Sequence, residues 1–213
     1  MKSKTCVVVI ILILVAGVGA IFLLGQHEQE EPPFDNGGRY NLVILDNMGV
    51  IYDNQSDIAH WNNGYSETDE CPWEAIHNGL DYMFYNNSPV IAAAPGLVIG
   101  IEISYVPNTT FYKIAVAVQF NETVWLEYSF EDDANESVRA QQVAMLDVEI
   151  GDWVVKGEQI ARFLQAVEFD HVHFGVYQND EAICPRLVMG EDDYDEIMSL
   201  IDIFHSDWEL CYP

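Results

Sequence analysis

Positive charge is scarce in this sequence: 8 lysines and arginines stand against 35 aspartates and glutamates, a formal net charge of −27 over 213 residues. So acidic a surface repels polyanions over long range, and we expect no nucleic-acid partner. It suits a salty medium, where screening weakens the self-repulsion. Cysteine is scarce too, at 4. Cys6 falls in the apolar N-terminal run, so Cys71, Cys184 and Cys211 allow at most one intrachain bridge and leave one thiol. We expect Cys184 to pair with Cys211. They flank Glu191 to Phe204, where Tyr194, Ile197, Met198, Ile201 and Phe204 recur at helical spacing, and a bridge would pin that C-terminal helix to the body.

Charge is absent altogether from Cys6 to Leu24, close to the ~20 residues a helix needs to span a hydrocarbon core. Residues 1–25 therefore read as a transmembrane anchor, with secretion after signal cleavage as the alternative, since Gly17-Val18-Gly19-Ala20 resembles a cleavage site. Lys2 and Lys4 on the leading side favour a cytoplasmic N-terminus and a C-terminal domain outside the cell membrane, a single-pass arrangement. Residues 26–39, charged and then rich in Pro and Gly, form a linker, and residues 40–213 are enough for one extracytoplasmic domain. Asn54, Asn86, Asn108, Asn121 and Asn135 each begin an Asn-x-Ser/Thr glycosylation acceptor, which requires an outside surface loop or turn.

The domain reads as mainly β. Asn41–Asp46 and Gly49–Asp53 suggest two short strands, and Asp57–Cys71, which has no clear period, a long loop approaching the site. Pro89–Ala93, Leu97–Tyr105, Tyr112–Phe120 and Thr123–Phe130 are β-branched or aromatic runs separated by Gly, Pro and Asn turns, the pattern of consecutive antiparallel strands. Gly151-Asp152 and Lys156-Gly157 bracket Trp153-Val154-Val155 in a compact β-corner. Similar segments occur in lipoyl and biotinyl carrier domains and in duplicated-hybrid-motif β-sandwiches. A carrier needs its lysine at a hairpin tip, whereas Lys156 precedes Gly157 within the turn, so the sandwich fits better.

His171-Val172-His173 on a strand puts both imidazoles on one face, because strand side chains repeat every two residues. Upstream, His77 and Asp81 add an imidazole and a carboxylate four residues apart. Trp61, Trp73, Tyr82, Phe84 and Tyr85 lie around this first motif, where they can line a groove or pack the core.

The order His77-x-x-x-Asp81, Ala93-x-x-Gly96-x-Val98-x-x-Ile101, Ile150-Gly-Asp-x-Val-x-Lys-Gly-x-x-Ile160 and His171-Val-His173-Phe174-x-Val176 resembles the LytM or lysostaphin-type zinc metallopeptidases, family twenty-three of the metallopeptidases. The resemblance spans Cys71 to Cys184. It implies an antiparallel β-sandwich of duplicated-hybrid-motif type, here with a C-terminal helix at 191–204 and an N-terminal transmembrane helix. It also implies an endopeptidase acting on peptide cross-links of a cell wall. Carried over by position, His77, Asp81 and His173 match the family's Zn2+ ligands and His171 its catalytic imidazole. Two imidazoles and one carboxylate leave one of four tetrahedral positions open for water, as a catalytic zinc requires. His171, beside the metal, could take a proton or stabilise an oxyanion.

Two positions depart from the family. Tyr128 stands where the family has a further histidine, and Ala166–Asp170 replaces a Gly-Pro segment before His-x-His. A phenol can donate a hydrogen bond to an oxyanion, but with a pKa near ~10 it is a poor base at neutral pH. The sequence thus predicts a membrane-anchored, zinc-dependent endopeptidase with a peptide or cell-envelope substrate. The alternative is a catalytically impaired relative that binds a wall, glycan or protein partner. A carrier or sugar-phosphotransfer domain would not need His77, Asp81 and His173 together.

Overall fold

A computed structural model describes residues 45–105, 111–133 and 136–213. The expected transmembrane segment, linker and first strand residues, and the acceptors Asn108 and Asn135, lie outside the described residues. Among the described residues no helix is long and apolar enough to cross a membrane.

The strands are β1 (Ile58–Trp61), β2 (Tyr65–Ser66), β3 (Leu80–Phe84), β4 (Pro89–Ile91), β5 (Gly96–Tyr105), β6 (Phe111–Gln119), β7 (Val124–Asp133), β8 (Trp153–Val154), β9 (Gln159–Arg162), β10 (His171–Gln178), β11 (Glu181–Ala182) and β12 (Cys211–Tyr212). Two α-helices are described, α1 (Glu136–Val143) and α2 (Glu191–Phe204). The frame is one antiparallel sheet in the order β1-β3-β10-β7-β6-β5-β8, with β11 paired to β10. Two short ribbons accompany it, β4 with β9 and the parallel pair β2 with β12. Mainly β with few helices, the chain thus builds one large sheet flanked by small ribbons.

Period-two alternation gives this sheet two chemically distinct faces. On β7, Val124, Leu126, Tyr128 and Phe130 turn one way, into a core that also holds Val116 and Val118 from β6 and Val172, Phe174 and Val176 from β10. On the other face Trp125, Glu127, Ser129 and Glu131 stand opposite Tyr177, Gly175, His173 and His171. Burying each large apolar side chain contributes about 1.5–3 kcal/mol, so the core face fixes the register, and the register decides which polar groups meet on the other side. Helix α2 seals the edge near β1, burying Ile197, Leu200 and Ile201, while Tyr194, Met198 and Phe204 pack partly against the same core. Cys184 is bonded to Cys211, with Cα atoms 6.0 Å apart, and Cys71 is a free thiol.

Two expectations need correction. Gly49–Asp53 is not a strand: Met48 and Tyr52 make isolated bridges to Met189 and Val90, and the Gly49 N–H donates to the Ala93 carbonyl. Met48 to Tyr52 are buried and Asp53 is exposed. Conversely, Asp57–Cys71 is not wholly a loop, since it supplies β1 and β2; a bulge between Ile58 and His60 breaks the alternation that would have marked β1. At the β-corner, Gly151 and Gly157 take φ of 98° and 84°, the left-handed region that favours glycine.

Candidate metal centre

Asp81 on β3 stands opposite His173 on β10, and His171 enters the same face from two residues earlier. His77 comes from the segment before β3, which is held to β2 by reciprocal backbone hydrogen bonds between Ser66 and His77. Between the two, Gly79 is packed so tightly that a Cβ there would lie 2.5 Å from His173 Nε2 and 2.6 Å from the Phe174 carbonyl oxygen. Glycine is needed because the imidazole occupies that space.

One carboxylate oxygen is the focus of the cluster. Asp81 Oδ1 lies 2.9 Å from His173 Nδ1, 3.2 Å from His77 Nε2 and 3.7 Å from His171 Nε2. Asp81 is 4% exposed and His173 7% exposed. Burial alone would raise the Asp81 carboxyl. Hydrogen bonds from His173 and His77, with the charges of His171 and His77, more than offset it and hold the group well below the usual carboxylate range. His77 moves the other way: burial lowers it, but the Asp81 hydrogen bond and charge, the Gly64 carbonyl and Glu131 bring it above its ordinary value.

This donor set fits a metal ion. His77, Asp81 and His173 each offer one atom, and the three lie within 4.8 Å of one another. Ligands at about 2.0–2.2 Å around a tetrahedral zinc are separated by about 3.3 Å, close to the distances around Asp81. His77 Nδ1 faces the Gly64 carbonyl at 2.6 Å. Donating its proton there leaves Nε2 with a free lone pair directed inward, the orientation metal-bound histidines take.

His171 Nδ1 is 3.0 Å from the Phe169 carbonyl, and donating there turns the Nε2 lone pair toward Asp81 and Glu131, whose Oε2 is 3.8 Å away. The loop before it is tied by Asp170, 1% exposed, whose Oδ2 accepts from the Ala166 and Val167 N–H groups at 2.6 and 2.7 Å. Asp170 thus fixes the approach of Ala166–Phe169 to His171.

Tyr128 is not in this site. It is fully buried on the core face, its hydroxyl accepting from the Ala93 N–H at 2.8 Å, and burial pushes its pKa far up. The expected place beside the metal belongs to the next residue, Ser129, because a shift of one residue in a strand exchanges the faces. The site-facing neighbours are Ser129 and Glu131. The polar alternation Glu127-Ser129-Glu131 against the apolar Leu126-Tyr128-Phe130 is the signal that identifies them. Glu127 holds Lys113 Nζ at 2.6 Å and accepts from Ser129 Oγ at 2.8 Å.

Of the aromatics around the first motif, Trp61, Tyr82 and Phe84 are core and Tyr85 is exposed. Trp73 meets His77 edge-on, with ring centroids 6.3 Å apart. Asn54 and Asn86 are exposed. Asn121, in contrast, is buried, and its side-chain oxygen accepts from the Thr123 and Val124 N–H groups at 2.8 Å each, closing the β6–β7 hairpin.

The sequence profile of Peptidase family M23 matches residues 75–185, more than half of the chain. The chain belongs to this family. The matched span of this M23-family chain begins at the segment carrying His77 and ends beside Cys184, so it contains the whole His-Asp-His group and His171. Membership supports a metallopeptidase-type hydrolase. Among solved structures, Helicobacter pylori Csd3 is 22% identical, with a TM-score of 0.45, over 69% of this chain and 33% of that one. The catalytic domain, as a mutant, of the prophage-encoded M23 protein EnpA from Enterococcus faecalis is 18% identical over 61% of this chain and 91% of that domain, with a TM-score of 0.44. The antimicrobial peptidase lysostaphin from Staphylococcus simulans is 17% identical over 65% and 51%, with a TM-score of 0.43. The chain thus spans about a third of Csd3 and about half of lysostaphin. A comparison with curated proteins found no match.

Proposed function

We propose that this M23 protein is a zinc-dependent endopeptidase that hydrolyses peptide bonds of the kind found in cell-wall cross-links. The observation that carries the reading is the convergence of His77 Nε2, Asp81 Oδ1 and His173 Nδ1 on one small volume, with a third imidazole, His171, beside it. Zn2+ held by these three residues would supply Lewis acidity toward the scissile carbonyl and toward a water. The chain's own groups do the rest. His171 Nε2, oriented through Nδ1 to Phe169, takes a proton from the attacking water and returns it to the leaving amine. Glu131 Oε2 lies 3.8 Å from that nitrogen, on the same face of the sheet.

The same proposal places residues 1–25 in a membrane and the catalytic domain outside it. Support for that comes from the uncharged run and its flanking lysines.

The reading is tested by adding Zn2+ to the purified chain and screening cross-link peptides for cleavage, beside His171→Ala. Cleavage that disappears in His171→Ala while bound zinc stays at about one per chain supports it. Loss of zinc in that variant makes His171 a ligand and overturns the role given to it. A second reading has one observation in its favour: Ser129 and Glu131 leave the site face of β7 without an imidazole. An impaired, partner-binding domain would bind zinc equally well and cleave nothing.

A further inference from the structure

Along the site face of β10 stand His171, His173, Gly175 and Tyr177. The Gly175 backbone is ordinary strand and does not itself require glycine. A Cβ on it, however, would lie 2.8 Å from Tyr177 Cε2 and 3.2 Å from the Tyr177 hydroxyl oxygen. The Tyr177 ring therefore lies back along its own strand, over Gly175. Its hydroxyl sits beside the residue that is a two-residue step, about 7 Å of strand, from His173.

The phenol is held there at both ends. Its ring stacks on Trp125 with centroids 4.1 Å apart and planes 6° from parallel, and its oxygen accepts from Asn78 Nδ2 at 3.1 Å. Asn78 follows His77, so this hydrogen bond ties the phenol to the segment that carries a candidate ligand. With Asn78 donating, the hydroxyl's own proton points elsewhere, and among the described residues no group accepts it. The carboxylate opposite Gly175, Glu127, is occupied by Lys113 Nζ and Ser129 Oγ. Burial, with the charges of Glu127 and Glu131, pushes the phenol up to about 12, so it keeps its proton at neutral and mildly alkaline pH.

Amide hydrolysis needs an acceptor for the water's proton and a donor for the carbonyl oxygen, which takes negative charge as the tetrahedral intermediate forms. His171 and Tyr177 bracket His173 on one strand, and their chemistries divide the two tasks. An imidazole takes and returns a proton, whereas a phenol held protonated is a poor base and a permanent donor. The hydroxyls of β7 are engaged elsewhere: Ser129 donates to Glu127, and Tyr128 meets the Ala93 N–H on the core face.

We propose that Tyr177 is a catalytic residue of this site, its hydroxyl donating a hydrogen bond to the scissile carbonyl oxygen as that oxygen becomes an oxyanion. The water's oxygen bonds to the carbonyl carbon, the carbon–oxygen π pair moves onto the carbonyl oxygen, the water's proton passes to His171, and the phenol keeps its own. Asn78 and Trp125 are positioning residues, and Gly175 leaves the ring its room. The proposal rests on the peptidase reading.

The test uses the full chain in detergent, loaded with zinc. Calorimetry measures binding of N-acetyl-diglycine amide, of N-acetyl-dialanine amide, and of their phosphinate analogues, in which a tetrahedral anion replaces the scissile amide. The phosphinates should bind more tightly than the amides. Tyr177→Phe should weaken phosphinate binding about tenfold or more, leave amide binding unchanged and keep about one zinc per chain. Gly175→Ala should give the same loss with the phenol still present, since its methyl displaces the ring. On a cross-link peptide that is cleaved, Tyr177→Phe should lower kcat about a hundredfold or more with KM little changed. The pH profile of the remaining activity should keep its shape, because a phenol that stays protonated adds no ionisation. Equal phosphinate binding in wild type and Tyr177→Phe overturns the assignment and leaves the peptidase reading standing. Zinc lost in Tyr177→Phe makes the role structural and overturns the assignment as well. A zinc-loaded wild type that binds neither phosphinate better than its amide brings down the peptidase reading, and the role of Tyr177 with it.

Discussion

Because three imidazoles face a single oxygen of Asp81, removing its charge disturbs all of them. Asp81→Asn should weaken zinc binding by about a hundredfold or more, read by competition with a chromophoric chelator. Gly79→Ala should do the same without replacing a ligand, since its methyl needs the space of the His173 ring; unchanged affinity would mean that the ring moves aside freely. Tyr128→Phe separates core from site. It should leave zinc affinity and any cleavage unchanged while costing about 1–3 kcal/mol of stability in urea unfolding, because the buried Ala93 N–H loses its acceptor. For the metal-free protein the sign of the pH dependence follows from His77. Its folded pKa lies above 6.5, so its stabilising contribution is complete below 6.5 and is lost as pH rises through the folded value. The urea midpoint should therefore fall between about pH 6 and pH 8, and by less in His77→Gln. Zinc reverses the trend, because it binds the deprotonated ring.

At the scale of elements, register decides the site. Strands β5, β6 and β7 were legible in the sequence as β-branched and aromatic runs separated by Gly, Pro and Asn turn residues, His171 and His173 could be placed on one face from their spacing alone, and on β7 Glu127, Ser129 and Glu131 alternate with apolar residues. The same alternation argues for Ser129 and Glu131 over Tyr128. Family position alone puts Tyr128 at the site, one residue out of register and on the opposite face of β7. β1 was hidden because a bulge interrupts its short run, and the stack of Tyr177 on Trp125 because it depends on which strands become neighbours. The Cys184–Cys211 bond joins the end of the domain to the strand region across 27 residues. It ties β12, which pairs with β2 close to the His77 segment. Reduction should cost about 3–4 kcal/mol by chain entropy, and should weaken zinc binding as β2 loosens. A thermal melt with and without reductant, each repeated with zinc, checks both.

For the whole molecule the governing quantity is a net charge of −27. Self-repulsion of this size is relieved by screening, so the melting temperature should rise between about 0.05 and 1 M salt, where the Debye length falls from more than ~10 Å to ~3 Å. A flat or falling curve would show that attractive pairs such as Lys113–Glu127 and Lys156–Asp193 outweigh the repulsion. The same charge raises the local concentration of divalent cations at the surface. Zinc must therefore be counted against a variant that keeps that surface but lacks the inner site. The decisive measurement is the zinc content of the full chain after dialysis, beside His77→Ala and His173→Ala. About one zinc per chain, lost in both variants, is the predicted result. No zinc after exposure to excess metal, or equal zinc in all three proteins, would contradict the account.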